Sequence, residues 1–114
     1  MKKNPFIQSY KLEKNPVLFS CLNINTGHIT ERDNELLKEA CKGESVNPIV
    51  AYKYTYGYFV HVWDLDNNII KAAHKHGFSK NLTHILSRAH DLKCNFICFD
   101  CDGITYDDLL TFNW

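Results

Sequence analysis

The run Asn95-Phe-Ile-Cys-Phe-Asp-Cys-Asp-Gly103 constrains the fold more than any other stretch of the chain. Phe96 to Phe99 are large and apolar, and the run then stops at Asp100, Asp102 and Gly103. A short apolar run bounded by turn residues is the pattern of a buried central strand. Its polar groups would then emerge at the edge of a sheet, where α/β proteins often place function.

The rest of the chain supplies partners for that strand. Val17 to Ile24 reads as a first strand, with Leu18, Leu22 and Ile24 on one face and Phe19 and Cys21 on the other. Asn25 to His28 forms a turn, and Thr30 N-caps a helix carrying Glu31 and Asp33 in its first turn. Leu36, Leu37, Ala40 and Cys41 give that helix an apolar side, and Gly43 stops it. Ile49 to Tyr54 and Tyr58 to Trp63 flank Thr55-Tyr56-Gly57, which predicts a hairpin with a three-residue loop and glycine in its left-handed position. Asp64 to Asn68 caps a helix holding Ile69, Ile70 and Ala73, and Gly77 ends it. Ser79 starts another, with Leu82, Ile85, Leu86, Ala89 and Leu92 on one side.

The predicted class is α+β, with element order β-α-β-β-α-α-β and a four-stranded mixed or antiparallel sheet covered by helices on at least one face. Residues 1–16, with Lys2, Lys3, Lys11 and Lys14 against Glu13, form an N-terminal arm, with Phe6, Ile7 and Tyr10 available to dock on the body. Residues 17–114 form one domain. Gly77 decides the topology. A single crossing from Ile69 to Leu92 would leave the last strand antiparallel to the first, as in ferredoxin-like folds. A true helical hairpin would make the two parallel and bring Thr26, His28, Asp100 and Asp102 to one edge.

Composition excludes several functions. Lysines and arginines balance aspartates and glutamates at 13 each, so the bulk field draws neither nucleic acid nor anionic membrane. No apolar run approaches the roughly 20 residues of a membrane span, and the N-terminus lacks a signal-peptide pattern. Five cysteines, an odd number inside apolar segments, point to reduced thiols and a cytoplasmic setting.

The candidate chemistry is incomplete at each place it arises. Phe99-Asp100-Cys101-Asp102-Gly103-Ile104-Thr105 resembles the first motif of haloacid-dehalogenase-type phosphatases, but only residues 104–114 follow, too few for the other motifs. Cys98 and Cys101 are spaced as in a zinc knuckle, yet no second pair completes four ligands, so no metal is expected. His74 and His76 lie about 200° apart around a helix and cannot chelate one ion together. Gly57-Tyr-Phe-Val-His-Val62 resembles the aromatic strand of RNA-recognition motifs. It departs from them because Tyr56 stands where a base is expected, and adjacent Tyr58 and Phe59 face opposite ways. Lys80, His84 and Arg88 make a basic stripe on a helix, and Asp100, Asp102, Asp107 and Asp108 make the C-terminal end acidic.

Three stretches together resemble a small family of uncharacterised domains found on bacterial plasmids, prophages and genomic islands. They are Cys21 to Thr30, Tyr56 to Val62, and Cys98 to Gly103 followed by Leu110-Thr-Phe-Asn-Trp114, where Asn113 replaces an expected aspartate. The resemblance implies a mobile-element setting and supplies no catalytic residues. The expectation is a non-catalytic accessory protein without a cofactor, binding a host or defence protein as an anti-defence factor. Lys80, His84, Arg88, Asp100, Asp102, Asp107 and Asp108 are its candidate contacts. The alternative is a single-stranded RNA-binding module using Tyr52, Tyr54, Phe59 and Trp63.

Overall fold

The computed structural model describes residues 16–43 and 46–114. Apart from Pro16, the expected arm and its docking residues lie outside the described residues. The elements are β1 (Cys21–Asn25), a 3-10 turn (Thr26–His28), α1 (Glu31–Cys41), β2 (Ala51–Tyr54), β3 (Gly57–His61), α2 (Asn67–His76), α3 (Lys80–Asp91) and β4 (Phe96–Asp100). They build one sheet in the order β1-β4-β3-β2, in which β1 runs parallel to β4 and the other neighbours are antiparallel. The protein is therefore α+β with a mixed sheet, and the run around Phe96 is an interior strand.

Gly77 makes the reversal that sets this topology. Its φ of 127° lies where side chains are rarely tolerated, and its N–H closes on the Ala73 and His74 carbonyls. Ser79 then opens α3, its hydroxyl accepting from Leu82 N–H. The ferredoxin-like alternative is thereby excluded.

Two local expectations are corrected. The first strand begins at Cys21, and Val17, Leu18 and Phe19 are exposed. Asn95 and Phe96 donate to the Ser20 carbonyl at 3.0 and 3.1 Å, and β4 begins only at Phe96, so earlier residues have no strand to pair with. The hairpin closes through a two-residue turn, Thr55-Tyr56, because Tyr54 pairs with Gly57. Gly57 is thus a strand residue without positive φ. Glycine is needed there because a Cβ would meet the Phe99 carbonyl oxygen at 1.7 Å, where β3 crosses close to β4.

Alternation sorts the sheet into two faces. Ile24, Ala51, Tyr58, Val60, Ile97 and Phe99 are buried against Leu36, Leu37, Ala73, Leu82, Ile85 and Leu86 of the helices in one core. A buried carboxylate locks the helical layer. Asp33 completes a capping box with Thr30 and also accepts from Ser79 N–H at 2.8 Å and Ser79 Oγ–H at 2.6 Å. One side chain thereby fixes the starts of α1 and α3 together.

Candidate binding face

The residues alternating with the core set form the other face of the sheet, which no helix covers among the described residues. Tyr52 and Tyr54 come from β2, Phe59 and His61 from β3, and Phe96, Cys98 and Asp100 from β4. Trp63 and Phe19 flank the strands. Their rings form a continuous network. Phe59 meets Tyr54 at 4.8 Å and Phe96 at 6.4 Å; Phe96 meets Trp63 edge-on at 5.0 Å; Phe19 stacks on Trp63 at 5.7 Å. Such offset and edge-to-face geometries favour ring packing. Phe19, Tyr52 and Trp63 remain 63%, 55% and 46% exposed, so the patch is open to solvent.

One end of this face is polar. Tyr54 O–H donates to Asp100 Oδ2 at 2.5 Å and lies 3.2 Å from Cys98 Sγ; Asp102 N–H donates to Asp100 Oδ1 at 2.7 Å. Desolvation first and the Asp100 carboxylate second push the Tyr54 hydroxyl well above its usual range. The Tyr54 hydrogen bond, and then that from Asp102 N–H, hold the Asp100 carboxyl below the ordinary range. Burial chiefly, with Cys98 beside it, pushes the Cys21 thiol up to about 11. A thiol held protonated is a poor nucleophile. All five cysteines are free.

The parallel pairing of β1 and β4 does bring their C-terminal ends together. Asn25 Nδ2 donates to the Cys101 and Gly103 carbonyls at 3.2 and 3.0 Å. The four expected edge residues nevertheless engage different partners. His28 is fully buried, with Nδ1 2.7 Å from the Leu110 carbonyl and Nε2 accepting from Tyr106 N–H at 2.9 Å. Those backbone partners place its proton on Nδ1, and no hydrogen bond joins it to Asp100 or Asp102 among the described residues. Its imidazole straps the C-terminal segment to the 3-10 turn, helped by Phe112 N–H to the Gly27 carbonyl and Trp114 Nε1–H to the Ile29 carbonyl. Thr26 lines a shallow crevice with Lys38, Lys53, Tyr56, Cys101 and Trp114. Asp100, Cys101 and Asp102 hold candidate ligand atoms within 4.8 Å of one another, but both Asp100 oxygens already accept hydrogen bonds.

The charged candidates meet each other. Arg88 is hydrogen-bonded to Asp108, which holds that carboxyl below its usual range. Lys80, His84 and Asp107 are exposed, as is Asp102. The basic stripe and the C-terminal segment thus meet at one pair, Arg88 with Asp108, which neutralise one another. Sequence reasoning identified Tyr52, Tyr54, Phe59 and Trp63 but missed Phe19, His61 and Phe96 as members of the same patch. The signal for Phe96 and His61 was present in strand alternation; what was missing was the adjacency of β3 and β4.

Among the described residues, three helices on one sheet face and an exposed aromatic patch on the other define a small α+β protein. The chain belongs to the family of unknown function DUF5983, whose C-terminal domain matches residues 21–114, from the first residue of β1 onward. No curated protein and no solved structure matches it. No helix among the described residues is long and apolar enough to cross a membrane.

Proposed function

We propose that the chain is a non-catalytic, cytoplasmic accessory protein of a mobile genetic element that binds a host or defence protein through the open aromatic face. The observation that carries the binding surface is the ring network of Phe19, Tyr52, Tyr54, Phe59, His61, Trp63 and Phe96 on a face that no helix covers among the described residues. Protein interfaces concentrate aromatic side chains and deplete charge at their centres. None of the strand positions on this face is lysine or arginine. The mobile-element and anti-defence setting rests on the resemblance of Cys21 to Thr30, Tyr56 to Val62 and Cys98 to Gly103 to domains of plasmids and prophages, and on the absence of a complete catalytic set in the sequence.

The test is affinity capture from a bacterial host with and without nuclease, using wild type, Trp63→Ala and Lys80→Ala/His84→Ala. A specific protein that survives nuclease, weakens about 30-fold in Trp63→Ala and holds to the stripe variant is the expected result. Binding unaffected by Trp63→Ala would refute the face as the contact.

Single-stranded RNA binding is the second reading, because the rings on one face can act as a stacking platform worth about 1–3 kcal/mol per base. Such binding would need phosphate neutralisation and would weaken steeply with salt. Trp63 lies in the patch, so tryptophan fluorescence titrated with mixed-sequence RNA at low salt decides it. Absence of quenching into the high micromolar range eliminates RNA.

A further inference from the structure

We propose that the apolar cleft between β1, α3 and the C-terminal segment is a binding site for a small aliphatic monocarboxylate. The cleft has a volume of about 110 Å³ and is lined by Leu22, Ile24, Ile85, Leu92, Tyr106 and Leu109, with Arg88 as its one charged group. It is somewhat smaller than the ~150 Å³ enclosed engineered cavity that accommodates benzene, and because it opens to solvent its gain comes from burying the guest's alkyl surface. Its opening lets a polar headgroup remain outside.

The lining sets the ligand class. The Tyr106 hydroxyl is already donating to the Asn23 carbonyl at 2.8 Å, so it offers the guest no donor proton. Arg88 is the remaining polar anchor, with its side chain 42% exposed. A guanidinium carries five N–H donors, more than one carboxylate can use, and its fork matches a carboxylate bidentately. Asp108 already pairs with Arg88 through one guanidinium nitrogen, which partly neutralises the charge and makes Asp108 a competitor for the ligand. An alkyl chain of about four carbons fills the cleft while its carboxylate reaches Arg88.

Pentanoate, pentanol and pentylammonium titrated into the wild-type chain, followed by methyl NMR of Leu22, Ile24, Ile85 and Leu109, test this. Pentanoate is expected to saturate those shifts in the millimolar range, with pentanol and pentylammonium at least several-fold weaker. Lengthening the acid from propanoate to pentanoate should tighten binding up to about fourfold per methylene. Asp108→Asn should strengthen binding by freeing Arg88, Arg88→Gln should weaken it several-fold, and Leu92→Trp, at the exposed rim, should block it. No saturable shift at tens of millimolar would overturn the proposal. So would pentanol binding as tightly as pentanoate, or pentanoate binding undiminished in Arg88→Gln or Leu92→Trp.

Discussion

Replacing Asp33 by asparagine and by alanine probes how the helical layer is held, and the two losses can be worked from the bonds. Oδ2 accepts from Thr30 N–H at 3.0 Å and Ser79 Oγ–H at 2.6 Å, and Oδ1 accepts from Ser79 N–H at 2.8 Å. Asparagine can keep its single oxygen where Oδ2 lies. Its amide group then faces Ser79 N–H, donor against donor, and that one bond is lost. A hydrogen bond to a charged group contributes ~1.5–3 kcal/mol, so Asp33→Asn should cost about 2 kcal/mol. Alanine removes all three bonds and the capping box, leaving buried donors unpaired, and should cost at least ~4.5 kcal/mol. At about 4–8 °C per kcal/mol, the asparagine variant should melt ~8–16 °C below wild type and the alanine variant lower still. The control is Arg32→Ala, which breaks only the exposed pair with Glu35 and should change stability by less than ~0.5 kcal/mol. Urea denaturation followed by circular dichroism reads all three. If Asp33→Asn costs as much as Asp33→Ala, or no more than the control, the bond-by-bond reasoning is refuted.

Gly57→Ala should destabilise by about 3 kcal/mol, because the added Cβ cannot sit 1.7 Å from the Phe99 carbonyl oxygen without moving β3 from β4. Gly43→Ala, where the space is open and φ is 73°, should cost only ~1–2 kcal/mol. Equal losses in urea denaturation would show that β3 and β4 separate at little cost and would refute the close contact as the constraint on Gly57. Tyr54→Phe removes the main stabiliser of the Asp100 carboxylate, so the Asp100 titration followed by carboxyl NMR should move up toward the ordinary range. A carboxyl whose folded-state value is depressed contributes stability that is present above its unfolded value and lost as pH falls through the folded one. The variant should therefore lose less stability on acidification than wild type. An unmoved Asp100 titration would assign its shift to the turn backbone instead.

Much of the fold was legible because it follows from local chemistry. Thr30 and Ser79 are caps by residue type, Gly77 is a helix stop, and together they allow the parallel β1–β4 pairing. What escaped depends on neighbours far along the chain. Gly57 looked like a turn glycine because glycine after Thr-Tyr suits a loop. Its real constraint is the Phe99 carbonyl, on a strand that sequence alone could not place beside it. His28 looked like a turn residue for the same reason, since its partners are Tyr106 and Leu110. Asp33 was readable as a first-turn acid, but not as the acceptor of Ser79.

The binding face shows the same division between local rule and long-range placement. Alternation puts Tyr58 under the helices and Phe59 on the open side, which defeats the adjacent-aromatic motif of RNA-binding strands. It also collects Tyr52, Tyr54, Phe59, His61 and Phe96 on one side of three neighbouring strands, producing a platform from different residues. Zero net charge is a statement about the whole chain and does not locate any cation. The structure puts Lys53 over the Tyr58 ring on the helical side and Arg88 against Asp108 near the C-terminal segment. The open face thus combines large rings, a carboxylate at one end and no lysine or arginine on its strands. Among the described residues the basic side chains near this face sit at its margin, where Lys93 and His90 line a crevice with Trp63, so its strands present an aromatic surface poor in positive charge.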